Sequence, residues 1–144
     1  MKKIGLLNGP NLDRLGKRET AVYGTETLEE IEAKVLARAN DYGVEVEPYQ
    51  SNHEGELIDK IASWTDDSFV GLIINPGGFT HTSVALRDAI AASGLKTVEV
   101  HISNIHAREE FRQTSLVSGV CAAVVAGMGR HGYVSALRYL SVEA

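Results

Sequence analysis

The chain has 144 residues, enough for one domain and too few for two of ordinary size. Its 44% hydrophobic and 23% charged residues fit a globular fold and exclude a disordered or fibrous chain. A formal net charge of −5 and a pI near 5.5 argue against nucleic acid, which needs a basic face. Anionic small molecules stay open, because they sense only local charge.

In chain order, Met1-Lys2-Lys3 begins as a signal peptide does. The apolar stretch Ile4–Leu7 is shorter than the roughly 7–15 residues such a peptide needs. No segment approaches the roughly 20 apolar residues of a membrane span, so a cytoplasmic protein is expected. Lys3–Asn8 reads as a buried strand stopped by Gly9-Pro10. Gly9–Gly24 then reads as one long irregular loop, of the kind often used as a lid. Thr27 and Glu30 form a capping box. Leu28, Ile31, Val35, Ala39 and Tyr42 continue at helical spacing until Gly43.

Val44–Tyr49 alternates as a strand, and Leu57, Ile58, Ile61 and Trp64 mark a second helix. Val70–Ile74 is a strand ended by Asn75-Pro76-Gly77-Gly78, and Thr82–Ala92 is helical. Thr97–Ile102 and Val120–Ala126 read as two more strands, and Tyr133–Leu140 as a closing helix. Cys121 is the single cysteine, so no intrachain disulfide is possible. Its apolar surroundings mark it as an inert core residue. About five alternations of strand and helix imply an α/β fold: a parallel five-stranded sheet with helices on both faces. The flavodoxin-like order 2-1-3-4-5 is expected, in a single domain over residues 1–144.

In such sheets ligands bind beyond the carboxyl ends of the strands. Three polar, glycine-rich or histidine-bearing segments fall there: Asn8–Asn11, Asn75–Gly78 and His101–Asn104. Each alone could be turn punctuation; three at one edge point to a site. Glu99 and His101 share a strand face, since the side-chain period is two. A carboxylate beside an imidazole orients it and favours its protonated form, as a general acid requires. The alternative partners for Glu99 are a distant Lys or Arg, or a subunit interface. The loop after the first strand holds Asn11, Arg14, Lys17, Arg18 and Tyr23. A free tyrosine titrates at about 10 and is a poor base near neutrality, although nearby cations make tyrosinate accessible. Taken alone, Arg18 and Tyr23 read as a solvated charge and a packed ring.

Gly127–Gly132 matches G-x-G-x-x-G after a strand and before a helix. A dinucleotide site also needs a following strand with an acidic residue, and the chain ends at Ala144. Close helix–strand packing accounts better for these glycines. His53, His81, His101, His106 and His131 show no zinc-ligand spacing. No P-loop or nucleophile elbow is present.

Three stretches together carry a resemblance: NGPNLDRLGKRETAVYG (8–24), GLIINPGGFTHTSVALRDAI (71–90) and VEVHISNIHAREEFR (98–112). Over nearly its whole length the sequence resembles the type II 3-dehydroquinate dehydratases. The resemblance implies a flavodoxin-like fold and the loss of water from 3-dehydroquinate to give 3-dehydroshikimate. It implies no metal, no cofactor and no Schiff base, and a dodecamer built as a tetramer of trimers. By position, Tyr23 is similar to the base that removes a C2 proton, and Arg18 to the cation that eases its ionisation. Asn11 would hold the enolate through a water. His101 would protonate the departing C1 hydroxyl with Glu99 behind it, and Asn75 would lie near C1. Ile102 and Ser103 would bind the carboxylate by their backbone N–H groups, His81 and Arg112 the ring hydroxyls. Asp88 is similar to a residue that reaches a neighbouring subunit's site.

Two positions depart from the pattern. Gln113-Thr114 replaces two histidines, which puts contacts around Arg112 in question. Thr20 replaces a proline, which would leave the lid freer. Two other readings remain at this point: a flavodoxin-like module that binds a nucleotide without chemistry, and a lyase for another small hydroxy acid.

Overall fold

The structure, a computed structural model, describes residues 1–144. Five parallel strands form its sheet: β1 (Lys3–Asn8), β2 (Glu45–Gln50), β3 (Gly71–Asn75), β4 (Lys96–His101) and β5 (Ala123–Ala126). Their order is β2-β1-β3-β4-β5, as the alternation implied. The helices are α1 (Thr20–Tyr23), α2 (Leu28–Tyr42), α3 (Glu54–Asp66), α4 (Val84–Ser93) and α5 (His131–Glu143). None is long and apolar enough to cross a membrane.

Local chemistry sets the helix ends. The Thr27 hydroxyl accepts from the Glu30 N–H at 3.2 Å, and the Glu30 carboxylate accepts from the Thr27 N–H, so both halves of the capping box form. Gly43 ends α2 in the left-handed region at φ 68°. Ser83 caps α4 by accepting from the Leu86 N–H.

The sheet separates two apolar cores. One joins α2 and α5 to the face carrying Ile4, Leu6, Ile73, Val98 and Val100. The other packs Leu57, Ile61, Trp64, Leu86 and Ile90 of α3 and α4 on Leu7, Leu72 and Ile74. Each fully buried Leu or Ile contributes about 1.5–3 kcal/mol. With both faces covered, β3 is buried at every residue, which is why its sequence is a continuous apolar run.

Three expectations need correction. Gly9–Gly24 is not wholly irregular: it holds a 3-10 turn at Leu12–Arg14 and the single turn α1, which ends on Tyr23. The last strand begins at Ala123, not Val120, because Ser118–Val120 forms a 3-10 turn. Cys121 follows that turn, half-buried and outside both cores. It is still unreactive in character: burial, with the Glu99 charge adding, pushes its thiol up to about 12.

Candidate active site

The strand ends converge because their loops touch. The Gly9 N–H donates to the Asn75 carbonyl at 2.8 Å. A Cβ on Gly9 would lie 2.4 Å from the Pro76 carbonyl oxygen, so only glycine lets the β1 and β3 loops meet this closely. Between these loops and the β4 end lies a cavity of about 110 Å³. Asn11, Arg18, Tyr23, Asn75, His81, His101, Ile102, Ser103 and Arg112 all line it, joined by Arg108. No carboxylate lines it, whereas three arginines do. The chain is acidic overall, yet this cavity is locally cationic and suited to a compact anion.

Two expected site residues lie elsewhere. Glu99 stands behind His101, fully buried. Asp88 is exposed on α4, away from the cavity of its own chain.

The period-two argument for β4 produces the Glu99–His101 pair directly. His101 Nε2 lies 2.5 Å from Glu99 Oε2, and the Ser118 hydroxyl donates to Glu99 Oε1 at 2.5 Å. Burial pushes the Glu99 carboxyl upward, but the hydrogen bonds from His101 and Ser118 and the His101 charge outweigh it. The net shift is below the usual carboxylate range. An ionised carboxylate only accepts, so Nε2 carries the proton and Nδ1 is the free ring nitrogen. The partner of Glu99 is therefore local, not a distant Lys or Arg. Ser118 was not foreseen; the turn at Ser118–Val120 that shortens β5 is what delivers it.

Tyr23 is partly buried against the α2–α5 core. The guanidinium carbons of Arg18 and Arg108 lie 5.1 and 5.2 Å from its ring centroid. Arg108 Nη1 also donates to the Tyr23 hydroxyl at 2.6 Å and to the Ser103 hydroxyl at 3.4 Å. Arg18 pairs with the adjacent Glu19 carboxylate and makes no hydrogen bond to the tyrosine oxygen. The closest cation to that oxygen is thus Arg108, which sequence reasoning missed. It stands 85 residues away, and only its presence in the stretch 98–112 hinted at it.

His81 is fixed by its Nδ1–H, which donates to the Thr114 carbonyl at 2.8 Å. The contact uses main chain, so the Gln113-Thr114 departure leaves it intact. Arg112 is held by Glu109. Asn11 sits in the left-handed region at φ 68°, which asparagine tolerates, and its N–H donates to Asn52 Oδ1 at 2.9 Å.

The glycines of Gly127–Gly132 have a packing role. A Cβ on Gly132 would lie 3.2 Å from both Val100 and Val125, so the first turn of α5 rests directly on the sheet. No group of three or more His, Cys, Asp or Glu side chains is arranged to hold a metal ion.

Comparison with known proteins shows the family. Residues 2–141 match the family model described as dehydroquinase class II. The chain is 57% identical to a 3-dehydroquinate dehydratase of Corynebacterium glutamicum (strain R), covering 96% of this chain and 95% of that one. It is 53% identical to one from Bacillus cereus (strain AH187), over 95% of this chain and 93% of that one. The crystal structure of a type II dehydroquinase from Butyrivibrio crossotus DSM 2876 superposes with a TM-score of 0.95. That protein is 46% identical, with 96% of this chain and 97% of that one covered. An all-parallel sheet of order 2-1-3-4-5, a cationic cavity at its carboxyl edge and a match over nearly the whole length lead to one conclusion: the chain belongs to the class II dehydroquinase family.

Proposed function

We propose that this protein is a hydro-lyase that converts 3-dehydroquinate to 3-dehydroshikimate and water, a step of the shikimate route to aromatic compounds, in one catalytic domain over residues 1–144. The observation that carries this reading is the pairing, around one cationic cavity, of an arginine-held tyrosine with a histidine backed by a buried carboxylate. A dehydration beside a ketone needs a base and an acid, and these two groups can supply them.

The Tyr23 phenolate takes the C2 proton, which is acidic because the negative charge it leaves passes to the ketone oxygen as an enolate. Arg108 at the phenolic oxygen and Arg18 over the ring stabilise the phenolate. Asn11, through a water, meets the enolate charge. The enolate then re-forms the ketone and expels the C1 hydroxyl. Hydroxide leaves poorly, so His101 protonates it through Nδ1 while Glu99 holds Nε2–H. The C1–O bond breaks, a C1–C2 double bond forms, and water departs. Asn75 lies near C1. The backbone N–H groups of Ile102 and Ser103 hold the carboxylate, and His81 and Arg112 the ring hydroxyls. A base on the lid and an acid on β4 supply two faces of the ring, as anti elimination requires.

In this reading the chemistry needs neither metal nor imine, and the working form is a homo-oligomer, a tetramer of trimers. The exposed position of Asp88, outside its own cavity, supports its action on a neighbouring subunit's site. The test mixes metal-stripped protein with 3-dehydroquinate and follows the ultraviolet absorbance of the conjugated product. Turnover that survives EDTA and borohydride is expected. No turnover refutes the reading, and borohydride inactivation would assign a lysine imine instead.

A further inference from the structure

Helix α5 inserts a side chain that the scheme above does not use. Tyr133 follows Gly132, whose missing Cβ lets α5 sit on the sheet, and is fully buried. Its hydroxyl donates to Asn8 Oδ1 at 2.6 Å and accepts from Asn75 Nδ2 at 2.9 Å. Asn8 and Asn75 are register partners at the ends of β1 and β3, so the phenol bridges two of the converging strand ends.

The polarity of this chain is fixed by one main-chain donor. The Gly77 N–H donates to Asn75 Oδ1 at 3.2 Å, and a backbone N–H can only donate. Asn75 must therefore turn its NH2 toward Tyr133. The phenol accepts there, and its own proton goes to Asn8 Oδ1. Burial pushes the Tyr133 phenol well above its ordinary range, so it stays neutral and keeps that proton. Asn8 Nδ2 is left buried without a partner. Gly77 sets which way the Asn75 amide faces and the Tyr133 hydroxyl anchors its NH2 end, with one N–H and one carbonyl lone pair left for a ligand.

We propose that Tyr133 is a positioning residue: by locking the Asn75 carboxamide from behind, it holds the Asn75 contact in place where the C1 hydroxyl departs. The inference rests on the dehydration proposed above, with Asn75 near C1. Its test is a double-mutant cycle on the full protein with 3-dehydroquinate. Tyr133→Phe keeps the ring and removes the hydroxyl, so kcat should fall about tenfold, the effect of one hydrogen bond, with KM little changed. In the Asn75→Ala background the same substitution should leave kcat unchanged. Equal losses in both backgrounds, or full activity of Tyr133→Phe, overturn the positioning role. Should Tyr133→Phe fail to fold, Asn8→Ala replaces it in the same cycle, with the same expected non-additivity and the same overturning result. An inactive wild-type protein instead removes the dehydration itself, which separates the two failures.

Discussion

His101 and Tyr23 face one cavity from elements of unlike construction. His101 ends β4, where it pairs in register with Ala126 of β5 and is backed by a carboxylate with no exposure at all. Tyr23 ends a single helical turn whose four residues include none that is buried, and whose N-terminal neighbour Glu19 lies in the left-handed region at φ 41°. The end proposed as the acid is over-determined by sheet pairing, burial and two hydrogen bonds to Glu99. The end proposed as the base is held to the body mainly by its ring packing and by one guanidinium from Arg108. In the proposed reaction the first design keeps the Nε2 proton directed at Glu99, so that Nδ1 is the nitrogen that gives up its proton. In the proposed reaction the second design suits a base on a loop that would admit substrate and then exclude water.

Substitutions can break or sharpen this contrast. The largest effect is expected for Tyr23→Phe: kcat falls by about 10⁴, the upper range for an acid–base group, with an unchanged melting temperature. Retained turnover would remove Tyr23 from its role. Arg108→Met comes next, with a loss of about 10² in kcat, because a donor to the phenolate oxygen disappears. If Arg18→Met proves far worse than Arg108→Met, the ring-stacked cation dominates and the direct hydrogen bond does not.

Ser118→Ala tests the rigid end. It removes the Ser118 donor from the buried Glu99 carboxylate, which costs about 1–3 kcal/mol, read by denaturant titration. The pH sign follows from the lowered Glu99 pKa. The stabilising effect of that group is full above the unfolded carboxylate pKa and fades as pH falls through the folded one. Removing Ser118 raises the folded pKa toward the unfolded one. The variant should therefore lose most stability near neutrality and converge on the wild type in acid. A pH-independent difference would contradict an ionised Glu99. The smallest effect is expected for Thr20→Pro, at the first helical position of α1, whose N–H has no intrahelical acceptor. It should stabilise by about 0.4–1 kcal/mol through the unfolded chain. A clear destabilisation would show that Glu19 cannot keep its left-handed backbone before proline.

How far the sequence reaches depends on the range of the signal. Apolar period and caps are local, so the Thr27–Glu30 box, the Gly43 stop and the β1 limits were legible without coordinates. The strand order was expected from about five strand–helix alternations in a short chain, the pattern of the flavodoxin-like arrangement. The Glu99–His101 pair was also legible, because a two-residue spacing on a strand is a geometric statement. Ser118, Arg108 and Tyr133 were not. Each acts 19, 85 or 58 residues from the group it holds, and in each case a tight turn or helix start elsewhere does the aiming.

By itself, then, the sequence determined the five strands and four longer helices, their parallel order, the strand edge proposed for the site and the family resemblance. These rest on patterns that repeat along the chain. Only the tertiary structure decided which guanidinium meets the Tyr23 oxygen, what caps the second oxygen of Glu99 and which way the Asn75 amide faces. The physical reason is that hydrogen bonds are directional over about 3 Å, whereas sequence patterns specify faces and edges.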